Sequence, residues 1–337
     1  MEAFNVFLKK KLKMLDIEFF RARFNTYLEH KLTAKDPINL YEPITYIMGI
    51  GGKRLRPILA LISTDVLGGN YEEAMDAALA IEVFHNFSLV HDDIMDAAPL
   101  RRGEKTVHKK WDINTGILSG DVMLINSYQY FENYRPDLFK SLIEVFSKTA
   151  IEVCEGQQYD MDFEISDAVS VPDYLKMITY KTAVLVAAAM KMGAIIARAS
   201  KNTQDEIYNF GINLGIAFQL QDDYLDAFGN PENFGKQVGG DIIENKKTFL
   251  YLKAIELGST EEINELKNLF SIKPQDPQEK IQTVKEIFVQ SGSADVTREE
   301  IKKFTQRAFK ILESLEAPDS KKKILEELGN KLMNREV

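Results

Sequence analysis

Apolar residues recur at spacings of three, four and seven through nearly every long segment of the chain, and alternating strand-like runs are scarce. That period belongs to amphipathic helices, so the pattern predicts an all-α fold. Two segments, Tyr71 to Ala98 and Asp205 to Phe228, each read as one helix of about 25 residues, apolar on most faces and therefore central. Turn chemistry separates the helices at "LGGN" (67–70), "RPDL" (135–138), "GNPENFG" (229–235) and "KPQDPQ" (273–278). None of these is a long linker, so residues 1–337 are expected to form a single domain. Its catalytic core would span about 40–255, and residues of about 256–337 would add outer helices with one apolar stripe at Ile301, Phe304, Ala308, Ile311 and Leu315.

Composition narrows the class. Apolar residues make up 45% and charged residues 28%, a soluble globular balance. A formal net charge of −9 offers no general nucleic-acid footprint. Cys154 is the one cysteine, which rules out an internal disulfide or a zinc ribbon and suits a reducing compartment. The most apolar window, Ala183 to Ala197, is 15 residues long and carries Lys191, too short to span a bilayer. No secretory signal is read in the charge-interrupted N-terminal segment. The expectation is a cytoplasmic protein, not membrane-embedded.

Two acidic clusters then change the picture. "FSLVHDDIMDA" and "FQLQDDYLDA" each close an apolar helix with the same triplet, at Asp92, Asp93, Asp96 and at Asp222, Asp223, Asp226. Residues four apart share a helix face, so within each triplet like charges stack, which costs more where the surroundings are dry. One such cluster is usually solvated surface, but two identical ones point to a cation. Oxygen-only ligands favour Mg²⁺, which keeps waters and substrate phosphates in its shell. The implied ligand is a phosphate compound. Cations stand nearby: Lys53, Arg54 and Arg56 in "GIGGKRLRP", Arg101 and Arg102, Lys181 beside Thr182, and Lys236, Lys246 and Lys247. They read as a diphosphate cradle. A Walker loop is excluded, because Arg54 follows "GGK" and Ile47 occupies the glycine position.

From about Gly51 to Thr248 these residues resemble the trans-isoprenyl diphosphate synthases, or polyprenyl synthetases, through two DDxxD motifs together with "GGKRLRP" and "KTA". The resemblance implies an antiparallel helical bundle around a deep cavity, the isoprenoid synthase fold, assembled as a homodimer. It implies three Mg²⁺ ions, with Asp92 and Asp96 binding two, Asp222 and more weakly Asp226 the third, and Asp93 and Asp223 supporting from behind. By the same matching, Lys53, Arg56, His85 and Arg102 would bind isopentenyl diphosphate, while Arg101, Lys181, Lys236 and Lys246 would bind an allylic diphosphate. Thr182 and Gln219 would face the developing cation. Asn245 departs from the glycine common in the family, which puts the contact of Lys246 in question.

Helical geometry agrees for the first motif, since His85 and Ser88 fall within about 40° of Asp92 on a wheel. The implied reaction is head-to-tail condensation by ionisation, attack and proton loss. Phe84, Phe87 and Ser88 would set product length. The wheel alone favours Phe84, family matching makes both Phe84 and Phe87 a floor, and Phe87 with small Ser88 resembles the enzymes that make a twenty-carbon geranylgeranyl product, ahead of fifteen-carbon farnesyl diphosphate. A terpene cyclase of the same fold would not need the second diphosphate pocket, and a non-catalytic subunit would carry a damaged motif.

Overall fold

A computed structural model describes residues 16–33, 35–166, 168–230 and 238–333. In chain order the helices are α1 (Ile17–Lys31), α2 (Ile38–Gly49), α3 (Leu55–Val66), α4 (Met75–Met95), α5 (Val107–Lys110), α6 (Ile113–Gln129), α7 (Pro136–Ile165), α8 (Val171–Ile178), α9 (Val184–Ile196) and α10 (Lys201–Phe228). The chain continues through α11 (Gly240–Ile243), α12 (Phe249–Leu257), α13 (Thr260–Leu269), α14 (Gln278–Gln290), α15 (Ser293–Ser314) and α16 (Asp319–Met333). This is the all-α architecture that the period predicts.

The two long central helices differ at their ends from the sequence reading. Tyr71–Ala74 forms a 3₁₀ turn started by Asn70, whose side chain accepts from Glu72 N, so α4 proper begins at Met75. Its far end stops at Met95 because Ala97 takes φ 51°. Conversely, α10 begins at Lys201, four residues earlier than its apolar period suggests, because Ser200 Oγ accepts from Thr203 N at 3.1 Å and caps the polar first turn. A two-residue hairpin, β1 (Leu100–Arg101) paired with β2 (Glu104–Lys105), follows α4. Arg102 and Gly103 at its tip have φ 54° and 82°, the left-handed pair that a tight hairpin turn requires.

The apolar window at Ala183–Ala197 lies inside a longer helical run. Val171–Ile196 is continuous apart from one π turn at Thr179–Ala183, and it is long and apolar enough to cross a membrane, yet 72% of its most apolar window is buried in the protein. Burial explains its composition: α9 is packed on α3, α7 and α10, so its faces are apolar except where Lys191 reaches Asp205.

Two hydrophobic clusters meet along α10. Ile207, Phe210 and Leu214 belong to one, Ile216, Leu220 and Tyr224 to the other. The predicted stripe on α15 follows suit in the opposite order, Ile301 and Phe304 in the second cluster, Ala308 and Leu315 in the first and Ile311 packed against the first, so α15 runs antiparallel along α10.

Close approach of helices depends on glycine. A Cβ at Gly193 of α9 would stand 2.4 Å from the Ala60 carbonyl oxygen of α3. Gly193→Ala is therefore expected to lower the unfolding free energy by about 1–3 kcal/mol, despite alanine's better helix propensity. Urea denaturation checks this, and an unchanged or raised midpoint would show that α3 and α9 are not pressed together there.

Candidate active site

The site grows from the ends of α4 and α10 and from the π turn between α8 and α9. Glycines let that turn sink into the molecule. A Cβ at Gly156 of α7 would lie 2.2 Å from Lys181 N, and one at Gly215 of α10 would lie 2.7 Å from Ala183 Cα. The extra residue of a π turn shifts the side chains that follow, and here Lys181 and Thr182 face two adjoining cavities. One, about 210 Å³, is walled by Asp222, Asp223, Asp226, Asp241 and Lys246. The other, about 270 Å³, is bordered by Asp92, Arg56 and His85 at its polar part and by Phe87, Leu89, Val153 and Leu185 along its apolar wall. Lys181 and Thr182 line both. The structure thus brings the two motifs together on either side of Lys181.

Within the first motif the three carboxylates divide. Asp93 is buried and fully taken up by Arg101, whose Nε donates to both its oxygens at 2.9 and 2.8 Å while Nη2 donates at 2.7 Å. Asp92 lies toward the cavity. Its Oδ1 is buried with no hydrogen-bond partner, and Lys181 Nζ stands 3.7 Å away. Asp96 is the exposed C-cap of α4 and lies outside the lining of both cavities. Loss of solvent and then the like charge of Asp92, against the pull of Lys246 and Lys181, push its carboxyl up to about 6.

Lys181 Nζ donates to Asp160 Oδ2 at 2.5 Å, and although burial works against its charge, Asp160 and Asp92 raise its pKa. Asp160, on α7, carries no motif and was missed by sequence reasoning.

In the second motif, Asp223 is buried. Tyr174 Oη donates to its Oδ2 and Gln219 Nε2 to its Oδ1 at 2.8 Å. Burial and then Asp241 push its pKa well above the usual carboxylate range, against those two donors. Asp226 Oδ2 accepts from Asp241 N at 3.0 Å, which ties it to the start of α11, whereas Asp222 is half-buried on the cavity wall. Lys246 Nζ is 3.2 Å from Glu244, and Asp241, Glu244, Asp160 and the first motif's Asp96 outweigh burial to hold it charged. The departure at Asn245 has a physical reading. Its φ is 63°, a conformation favouring glycine that asparagine tolerates best among other residues, and its Oδ1 accepts from the buried Lys280 Nζ. The turn before Lys246 is kept. Lys247 donates instead to the carbonyls of Phe163, Glu164 and Ser166 at the end of α7. Lys236 lies outside the described residues.

A third group forms beside α4. Arg56 Nη1 donates to His85 Nε2 at 3.0 Å. Burial and then Arg56 push His85 well below its ordinary value, so it is a neutral imidazole. Burial likewise lowers the Arg56 guanidinium to about 10, still charged at neutral pH, and its Nε is buried without a hydrogen-bond partner. Arg102 Nη1 donates to Gly51 O, and the missing Cβ of Gly52, which would lie 2.6 Å from that nitrogen, makes the room. Lys53 is exposed on the same glycine loop. Arg54, grouped with these cations in sequence, is different: it is buried against Glu82 Oε1 at 2.5 Å and donates to Met48 O. It braces the loop.

Among the described residues no three His, Cys, Asp or Glu side chains converge enough to hold a metal ion by themselves. Mg²⁺ takes one or two carboxylates and fills its octahedron with water and substrate phosphate. The all-oxygen donor set and the Asp92 oxygen that accepts no hydrogen bond suit it.

The polyprenyl synthetase family model matches residues 37–288. The chain belongs to that family. A geranylgeranyl pyrophosphate synthase from Geoglobus acetivorans is 35% identical over 314 residues, 93% of this chain and 96% of that one. A crystal structure of a geranylgeranyl pyrophosphate synthase superposes with TM-score 0.92 at 55% identity, covering 95% and 99% of the two chains. The Corynebacterium glutamicum geranylgeranyl pyrophosphate synthase solved with isoprenyl diphosphate and magnesium superposes with TM-score 0.85 at 27% identity over 95% and 99%. The chain is therefore a short-chain trans-prenyltransferase with the isoprenoid synthase fold, in a family that uses a divalent metal and isoprenyl diphosphates. A cyclase or a non-catalytic subunit is not favoured.

The raised Asp96 makes metal binding pH-dependent. A proton held with a pKa of about 6 competes with the ion, so Mg²⁺ affinity should be steady above that pH and fall by about tenfold per unit below it. Titrating Mg²⁺ against a diphosphate analogue from pH 8 to 5 checks this, and Asp96→Asn should remove that part of the slope.

Proposed function

We propose that the cavity bordered by the second motif takes the diphosphate of an allylic substrate, with its hydrocarbon tail running into the apolar cavity, and that Lys53, Arg56, His85 and Arg102 take isopentenyl diphosphate. The observation carrying this reading is that Asp92 and Asp222 face cavities joined at Lys181 and Thr182. Asp92, Asp96, Asp222 and Asp226 would hold three Mg²⁺ ions. When bound, Mg²⁺ supplies the positive charge that stabilises a departing diphosphate. Lys181 and Lys246 add fixed cations beside it, with Arg101 on the rim, as electrostatic preorganisation requires. We assign Lys236 to the same diphosphate on sequence grounds alone.

The carbon–oxygen bond of the allylic substrate breaks and its electron pair leaves with the diphosphate. Thr182 and Gln219 turn oxygen atoms toward the resulting cation. The double bond of isopentenyl diphosphate supplies the electrons of the new carbon–carbon bond, and the proton then lost passes to the released diphosphate. No side-chain nucleophile is needed. Leu89, Val153 and Leu185 exclude water that would quench the cation.

Phe87 and Ser88 lie on the wall of the apolar cavity, whereas Phe84 is fully buried with its ring 5.5 Å from that of Phe87. This supports Phe87 as the floor, Phe84 as its backing, and geranylgeranyl diphosphate as product ahead of farnesyl diphosphate. A homodimer is supported by α6, which exposes Ile113, Ile117, Leu118 and Ile125, a broad apolar face of the kind a self-complementary contact covers. We propose one catalytic domain working in the cytoplasm.

Incubating the purified protein with Mg²⁺, isopentenyl diphosphate and starters of increasing length should give mainly a twenty-carbon product. Phe87→Ala should add one or more isoprene units, and Phe84→Ala should act more weakly because it lies behind. Chain lengths unchanged in both variants would remove the floor.

A further inference from the structure

A hydrogen-bond chain crosses the site from a tyrosine that no motif contains. Tyr174 on α8 is 2% exposed, and its Oη donates to Asp223 Oδ2. Gln219 Nε2 donates to Asp223 Oδ1 at 2.8 Å, and Thr182 Oγ1 donates to Gln219 Oε1 at 3.0 Å. The two ends of an amide are distinguished by their partners. A reversed Gln219 would set its carbonyl against Asp223 Oδ1. With Tyr174 donating to Oδ2 and Gln219 Nε2 to Oδ1, both Asp223 oxygens are acceptors, so that reversal would oppose two acceptors. The carbonyl of Gln219 must therefore face Thr182. A hydroxyl has one proton and two acceptor lone pairs. With its proton committed to Gln219, Thr182 presents lone pairs to both cavities that it lines.

We propose that Tyr174 is a positioning residue for ionisation: through Asp223 it locks Gln219 and Thr182 with their oxygen lone pairs toward the carbon that the diphosphate leaves. Asp223, next to the metal-facing Asp222, then serves the cation and not the metal. The inference rests on the placement of the allylic substrate across Lys181 and Thr182.

Tyr174→Phe keeps the ring, whose centroid lies 6.2 Å from that of Phe249, and removes the donor. Its kcat should fall by about tenfold, with Mg²⁺ half-saturation and the allylic KM within about twofold of wild type. The decisive readout is a pair of unreactive allylic diphosphate analogues, one bearing an ammonium centre at the site of positive charge and one a neutral carbon isostere. The preference of wild type for the ammonium analogue should shrink by about fivefold in Tyr174→Phe. Combined with Thr182→Val, the losses should not add, since both act through one chain. An unchanged preference, an equal loss for both analogues, or a shift confined to Mg²⁺ half-saturation would overturn the proposal. If Tyr174→Phe does not fold, Asp223→Asn carries the same expectation and the same refutation. Absence of turnover in the wild type would instead remove the functional reading on which this rests.

Discussion

Carboxylates gathered in a half-dry cleft repel one another, and the rest of the site follows from how this chain contains that repulsion. Asp93 is discharged against Arg101, Asp160 against Lys181, Asp241 against Lys246, and Asp226 against the backbone at the start of α11. What is left over is an Asp92 oxygen that accepts no hydrogen bond, with Lys181 Nζ 3.7 Å away, and an Asp96 whose proton is held up to about 6. Those residual charges, facing Asp222 across Lys181, are what a divalent ion and a diphosphate can complete together. The metal and the substrate are therefore expected to bind as one unit, each completing the other's surroundings.

Geometry makes this containment possible. Lys181 reaches Asp92 and Asp160 because a π turn projects it, and the turn fits because Gly156 and Gly215 have no side chains where its backbone passes. The charged mouth rests on helices whose remaining faces are apolar, so the fields are little screened by water. The hairpin after α4 performs a similar task for the cations: its left-handed tip at Arg102 and Gly103 points Arg101 back at Asp93 and lets Arg102 reach the glycine loop before α3.

Much of this was legible in the chain because it is local. The repeated triplets and the stripe from His85 to Asp96 are statements about helical period, and period survives folding. Asp160 and Tyr174 were not legible, since each gains its role from a partner on another helix. Arg54 misled for a related reason: it sits in a run of cations, but φ 49° and the buried Glu82 turn it inward. On the proposed reading, product length depends on which phenylalanine faces the cavity. The wheel preferred Phe84, but α4 packs on α6 and sets the Phe84 ring against Phe146 of α7, while Phe87 lies at the cavity wall. Helix ends moved where a polar cap, Ser200, overrode the apolar pattern.

The central claim is that both motifs grip one diphosphate through shared divalent ions. Its most direct test is calorimetric binding of a non-ionising allylic thiolodiphosphate with and without Mg²⁺, in wild type, Asp92→Asn, Asp222→Asn and the double variant. One shared grip predicts that either single change removes most of the Mg²⁺-dependent affinity and that the double change costs little more. Single variants that keep that affinity, or losses that simply add, would mean that the two motifs act apart.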